Sequence, residues 1–195
     1  PVREGGSLAS LIDIHLREGN SKQWKVKGGI GLISARALVE GPLKKDTASV
    51  LLAFRRTYVD NLSRILPIDG DLKRVRFYFY DANFKLNYKI NKNNRLYLSG
   101  YAGSDVFSQY NRLSNSNYLG TLRWNHLFGL RLFTNTTVSL SQNFMTQGTQ
   151  VDKELLYWES EINDLKFKSD ISFYQSKAFK FTFGYSGKLY NIHPY

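Results

Sequence analysis

Three histidines, a few paired carboxylates and a short run of glycines are the residues of this chain whose types could do chemistry. His15, His126 and His193 lie far apart, with no H-E-x-x-H motif and no histidine pair spaced i,i+3 or i,i+4. We therefore expect polar strand or loop residues rather than a metal site. The chain has no cysteine, which excludes disulfides, thiolate metal sites and cysteine nucleophiles.

The paired carboxylates have the spacing of strand residues. Glu159 and Glu161 would share one face of a strand, and so would Asp164 and Asp170. Such pairs can act as acid and base or bind calcium. The water-facing side of a strand carries such pairs through alternation alone, whether or not a site is present. We therefore expect no catalytic residues, no cofactor and a protein that is not an enzyme.

Gly28, Gly29 and Gly31 could suggest a loop that holds a phosphate group. The pattern lacks the Lys-Ser/Thr pair of a phosphate-binding loop, and no helix pattern follows it. Glycine in a strand more often marks a bend or a close approach of two backbones. We expect these glycines to form the sharp bend that joins the first two strands.

The elements that must position these residues are strands. The 195 residues include 13 Tyr, 13 Phe and 3 Trp against a single Met, and aromatic residues favour the pleated surface of a sheet. From 78 to 90, Tyr78, Phe84 and Tyr88 fall on one face, whereas Asn83 and Lys85 fall on the other. No apolar run approaches the roughly 20 residues of a membrane helix, so any membrane would be crossed by strands.

The same alternation and the turn signals predict nine strands. Their expected ranges are 22–31, 33–41, 47–58, 73–90, 95–105, 117–127, 132–145, 156–174 and 179–190. Short turns are expected at 42–46, 91–94, 128–131 and 175–177, and longer connections at 59–72, 106–116 and 146–154. Alternating connection lengths and aromatic ends around an apolar middle are typical of membrane barrels. We predict an all-β fold, an antiparallel transmembrane β-barrel, and only part of one, because bacterial single-chain barrels have even strand numbers.

The most specific motif lies at 5–56. It reads Gly-Gly-Ser-Leu-Ala-Ser-Leu-Ile-Asp-Ile-His-Leu-Arg-Glu-Gly-Asn at 5–20, Gly-Gly-Ile-Gly-Leu-Ile-Ser at 28–34 and Glu-Gly-Pro-Leu-Lys-Lys-Asp at 40–46. This order of a short strand, a basic hairpin and a Pro-Leu-Lys-Lys-Asp turn resembles the junction between plug and barrel in TonB-dependent outer-membrane receptors. It is most similar to the Bacteroidetes type with a carboxypeptidase-regulatory-like N-terminal domain.

The resemblance implies the end of a plug domain, with its last strand at 7–18, over residues 1–21, and the first nine or so of twenty-two barrel strands over 22–195. The implied function is TonB-dependent import of a scarce nutrient, such as a siderophore, vitamin or oligosaccharide, across the outer membrane. The implied partners are the TonB energy-coupling complex, the nutrient and outer-membrane lipid. The sequence does not decide whether a surface lipoprotein acts as a lid. A chain that starts at Pro1 without a signal peptide is expected to be a piece of a longer protein.

Five charged residues are the candidate contacts between plug and barrel wall. They come from the end of the plug and the first three strands: Arg17, Glu18, Arg36, Glu40 and Arg55. The alternative is that they only solvate a water-filled interior, which needs charged residues in any case. The polar, aromatic stretch at 109–118 suits sugar stacking or an ordinary exposed loop.

Two other readings remain open. One is a small, self-contained outer-membrane barrel that acts as an adhesin or structural protein. The other is a soluble basic β-protein that binds nucleic acid or polysaccharide, an interpretation suggested by the net charge of +11. Because the 27 Lys and Arg residues are spread along the chain instead of forming one block, we expect no nucleic-acid partner.

Overall fold

The computed structural model describes residues 16–59, 76–108, 111–151, 154–176 and 178–194. They form one antiparallel sheet in which nine strands follow their order in the sequence. The strands are β1 (Lys25–Ile30), β2 (Ser34–Lys44), β3 (Ala48–Thr57), β4 (Arg76–Lys89), β5 (Asn94–Ser108), β6 (Arg112–Phe128), β7 (Leu132–Val151), β8 (Glu154–Tyr174) and β9 (Lys180–Pro194). The all-β class and the nine predicted strands are confirmed. Within the described ranges β1 and β9 do not pair, so the sheet is not closed.

Side chains of opposite character separate onto the two faces of the sheet, because residues of period two share a face. We call one the apolar face. The strand pairing places on it Val39, Leu52, Phe84, Leu98, Leu122, Leu140, Leu165 and Leu189. The other, the polar face, carries Glu40, Arg55, Asp81, Lys85, Arg95, Arg123, Lys166, Lys168 and Lys188. The alternation predicted for 78–90 is therefore confirmed.

The apolar face is left largely uncovered. Leu52 is 51% exposed, Leu140 60% and Leu189 70%, and these are the middle residues of their strands. The fully buried side chains instead include polar-face residues such as Ser49 and Thr57. The usual arrangement, in which an apolar face is packed on a core, does not occur among the described residues.

Two predicted long connections are wrong. β5 runs to Ser108 and β6 starts at Arg112, while β7 runs to Val151 and β8 starts at Glu154. The stretches at 106–116 and 146–154 are thus mostly strand, and much of the expected loop at 109–118 lies in β6. These segments are polar on one face but contain no proline, so the ladder of backbone hydrogen bonds continues through them. The expected connection at 59–72 falls between Thr57 and Arg76, almost wholly outside the described residues.

The first hairpin also differs from expectation. Gly28 and Gly29 lie inside β1, and only Gly31 takes part in the bend, where its N–H donates to the Ser34 carbonyl at 2.8 Å. The predicted plug strand at 7–18 lies almost entirely outside the described residues, and Leu16 to Glu18 are not in a strand.

The connections at 45–47, 90–93, 129–131 and 175–179 all lie at one end of the strands, which we call the near edge. They match the four predicted short turns. Asp46 and Gly129 adopt the left-handed conformation there, with φ of 56° and 79°. The opposite end of the strands is the far edge. No helix in the described ranges is long and apolar enough to cross a membrane.

Candidate functional site

The segment 16–23, which we call the leading segment, lies on the polar face before the chain enters β1. The Ser21 carbonyl accepts a hydrogen bond from Asp46 N–H at 3.1 Å, which ties the segment to the near edge. There the Asn20 side chain accepts from the backbone N–H groups of Lys22 and Gln23 at 2.9 and 3.1 Å. This local turn reverses the chain into β1, a role for which Asn is suited.

Arg17 and Glu40 form the central ion pair of this contact. Arg17 Nη2 lies 2.9 Å from Glu40 Oε1, and Glu40 is only 2% exposed. The second carboxylate oxygen of Glu40 is buried with no hydrogen-bond partner among the described residues. Glu40 is therefore held under the leading segment, because a buried carboxylate needs a partner.

Glu18 reaches two further strands. Its Oε2 accepts from Asn87 Nδ2 on β4 at 2.9 Å and lies 3.9 Å from Arg95 Nη1 on β5. On β4, Lys85 also donates its ammonium proton to the Leu16 carbonyl. The leading segment is thus bonded by side chains of β2, β4 and β5.

Gly19 allows the segment to sit directly on β3. A Cβ at this position would clash with the carbonyl of Val50, whose carbon would lie 2.7 Å away. Any other residue would have to lift the segment off the sheet, so glycine is required by the close approach of the two backbones.

Arg36 and Arg55 lie beside this contact rather than in it. They are cross-strand neighbours on β2 and β3. Arg55 Nε donates to Asp81 at 2.7 Å, and its guanidinium lies 4.9 Å from the Phe79 ring centre. The side chain of Arg36 makes no hydrogen bond or ion pair within the part of the chain that the structure describes. With Arg17 it lines a depression of about 780 Å³ on the polar face.

Three of the five predicted residues therefore meet at the contact, namely Arg17, Glu18 and Glu40. The prediction missed Lys85, Asn87 and Arg95. Alternation had already assigned Lys85 and Asn87 to the polar face, but Lys85 and Asn87 stand 69 positions from their partners. No local pattern connects residues at that distance.

Two of the remaining candidates, His126 and Glu161, are hydrogen-bonded to neighbouring polar side chains. His126 Nδ1 lies 2.6 Å from Asn94 Oδ1, which also accepts from Trp124 Nε1 at 3.0 Å. Glu161 accepts from Gln142 and Asn163 at 2.6 and 2.8 Å. Among the described residues no three His, Cys, Asp or Glu side chains are grouped to hold a metal ion, and His15 lies outside them.

Comparison with protein-family models, with curated proteins and with solved structures finds no match. A functional interpretation of the sheet therefore depends on its geometry and on the resemblance of the sequence at 5–56.

Proposed function

We propose that this sheet is part of the wall of an outer-membrane β-barrel that imports a scarce nutrient by TonB-dependent transport. In this proposal the apolar face meets lipid and the polar face meets a water-filled interior. The leading segment is the end of a plug domain that lies in that interior. The observation that carries the proposal is a sheet with one apolar and one polar face, in which the leading segment lies on the polar face.

The uncovered apolar residues form a belt across the strands, which we call the apolar band. On β8 it runs from Leu165 to Phe173, eight residue steps apart, with exposures of 39% and 38% at its ends. At about 3.3 Å per residue and the usual strand tilt, this spans about 22 Å of bilayer. Membrane barrels have a band of about 25 Å, so its height fits a bilayer.

The band is also slanted relative to the strand pairing. In the β4–β5 hairpin it ends at Ile90, two residues past Tyr88 and 48% exposed. Tyr88 lies level with Ser169 on β8 through the cross-strand pairs, and the band on β8 continues four residues past Ser169 to Phe173. The shift of two residues, about 7 Å, over four strand spacings of about 4.8 Å corresponds to a slant of about 19°. A flat membrane cuts tilted strands along a slanted line, and the strands of membrane barrels are tilted by about 35–45°.

The band has aromatic borders toward the near edge. Trp124, His126 and Phe128 lie together there, with the His126 and Phe128 ring centres 4.0 Å apart. The Trp124 N–H is bonded to Asn94, so the ring presents an apolar body beside a polar tip. Amphipathic rings of this kind gather at membrane interfaces.

The polar contact of the leading segment fits a domain that must be held and later released. Its bonds to the wall are few, charged and partly exposed; the side chain of Arg17 is 54% exposed and that of Glu18 40%. The Glu18–Arg95 pair is exposed at both partners and contributes about 1 kcal/mol or less. The Arg17–Glu40 pair is the stronger one, because Glu40 is buried. A pull by the TonB complex on the plug would break these bonds one at a time, which opens a path for the nutrient.

A small, self-contained barrel that acts as an adhesin or structural protein is the second candidate. The hairpins β5–β6 and β7–β8 favour it, because both continue as paired strands past the apolar band toward the far edge. The small barrel gives no reason for a leading segment that is bonded across the polar face.

The mass of the native polypeptide separates the two. We expect the protein extracted with detergent from an outer-membrane fraction to have several times the 22.5 kDa of this chain, because a wide barrel and a plug need more residues. Intact-mass spectrometry measures this directly. A native mass near 22.5 kDa would contradict the transporter and leave the small barrel, and recovery from the soluble fraction without detergent would contradict both.

A further inference from the structure

A cross-strand row on the polar face is apolar at four of its five positions, whereas much of that face is charged. Adjacent strands from β4 to β8 bring Phe77, Phe107, Leu113, Gln147 and Trp158 side by side. We call these five residues the aromatic row. It lies at the far edge, beyond the apolar band, and Phe77 packs edge-on against Phe79 with ring centres 6.3 Å apart.

On β6 to β8 the apolar face carries Ser114, Thr146 and Glu159 next to the row, whereas on β4 and β5 it carries Tyr78 and Val106 there. Lipid contact does not account for the aromatic row, because the row lies on the opposite face from the band. Phe107 is 43% exposed and Trp158 49% exposed. A contiguous exposed apolar surface of this kind marks a binding surface.

The polar side chains beside the row indicate what it binds. Asn115 lies two residues from Leu113, and Asn117 and Asn143 lie four residues from the row; Asn143 Nδ2 donates to Asn115 and Asn117 at 2.9 and 2.6 Å. These bonds fix the three amides yet leave the Asn143 carbonyl oxygen and two amide N–H₂ groups for a ligand. Amides present donors and acceptors without net charge.

The charges nearby oppose an anionic ligand. Asp105 pairs with Asn115 across β5 and β6 and lies two residues from Phe107 on the same face. On the face of the row, Arg55 is bonded to Asp81, and Arg76 and Arg112, which adjoin Phe77 and Leu113, lie on the opposite face. Flat aromatic surfaces that accept the C–H face of a sugar ring, beside amides that bond its hydroxyl groups, are complementary to an uncharged polyhydroxylated molecule.

We propose that the aromatic row and the three amides beside it bind a neutral oligosaccharide. The inference rests on the proposed function in one respect, since it takes the polar face as the interior, and it names the substrate class of that transporter. Phe107 and Trp158 stand three strand spacings apart, about 14 Å, a distance that a short oligosaccharide can bridge while it contacts both rings.

The test is binding of defined sugars to the full-length native protein in a detergent without a sugar headgroup. The probes are maltohexaose, cellohexaose, xylohexaose and mannohexaose, with hexagalacturonate as the anionic comparison, measured by isothermal titration calorimetry. We expect at least one neutral hexasaccharide to bind and Trp158→Ala and Phe107→Ala each to weaken it at least tenfold. Tyr157→Ala is the matched control: it removes an adjacent ring, 59% exposed, from the opposite face, and should change affinity less than twofold.

Three results would overturn the inference. They are no binding of any neutral probe, preferred binding of hexagalacturonate, and an equal loss of affinity in Tyr157→Ala and Trp158→Ala. After any of these results the barrel proposal still holds if the native protein has its expected mass and needs detergent for extraction. Trp158→Phe, which keeps a ring, should retain most of the affinity and so excludes misfolding as the cause of the loss.

Discussion

The partly exposed Arg17 balances the charge of the buried Glu40. Glu40 has almost no contact with water at 2% exposure, so its carboxylate is stabilised by the guanidinium above it. The Arg55–Asp81 pair differs, because its residues are directly opposite each other in a continuous ladder. A cross-strand pair of this kind adds only about 0.2–1 kcal/mol.

Removal of Arg17 should therefore be costly only while Glu40 is charged. We expect Arg17→Ala to lower the free energy of unfolding by about 1–3 kcal/mol, because it leaves a buried carboxylate unpaired. In a Glu40→Gln background the same change should cost less than about 0.5 kcal/mol, since no buried charge remains. Urea unfolding of the protein in lipid vesicles measures all four variants. Arg36→Ala, which removes a cation of the same face, is the control, and equal costs of Arg17→Ala in both backgrounds would refute the coupling.

Strand β4 was the most predictable element, and β5 to β8 were only half predictable. From Tyr80 to Lys89 apolar and polar residues alternate, so sequence alone gives the faces of β4 there, whereas Phe77 and Phe79 make the other face aromatic at the far edge. In β6 and β7 the alternation of apolar with polar residues stops at Tyr118 and Leu140, yet the strands continue. Backbone pairing, not side-chain pattern, extends them, which is why the far-edge connections were predicted too long.

The slant of the apolar band gives a depth prediction for labelled residues. Single spin labels at Ile90 and Phe173, the two ends of the band, should report equal depth in a bilayer, although their rows differ by two residues. A label at Ser169 should lie deeper than one at Tyr88, with which it is level in the strand pairing, because the strands tilt. Power saturation with oxygen and a water-soluble relaxant measures the depth. Labels at Phe84 and Asn83 supply the lipid-facing and water-facing references.

Equal depth at Tyr88 and Ser169 would mean untilted strands and would remove the geometric support for a membrane wall. Equal exposure of the Phe84 and Asn83 labels to the two relaxants would go further, because it would mean that neither face of β4 meets lipid.

At the scale of the whole molecule, the sequence predicted the class and the strand number, but only some of the residues at the contact of the leading segment. Hairpins are local, so alternation and turn residues suffice to place them. The bonds from Leu16 and Glu18 to β4 join positions 69 residues apart, and the register of that contact depends on packing that no local pattern encodes. Closure of the sheet is likewise a property of the assembled protein.

The open edge of β9 offers a test of closure. Almost all of its residues are exposed on this sheet, and one side of its backbone has no partner among the described strands. Unpaired backbone groups are not tolerated in lipid, so we expect a further strand to pair there in the native protein. Hydrogen exchange should then show every amide of β9 as protected as those of β7. Fast exchange at every second amide of β9 would mean that the edge stays open.

The strictly consecutive strand order has a consequence for how such a wall is made. Each strand needs only its predecessor, so the sheet can lengthen by one hairpin at a time, and no later strand has to be inserted between earlier ones. Loop closure at each step spans only a few residues, except between β3 and β4. Growth would therefore be fast and directional, with one slow step at that long connection. A kinetic intermediate made of β1 to β3 is the species that this topology would accumulate.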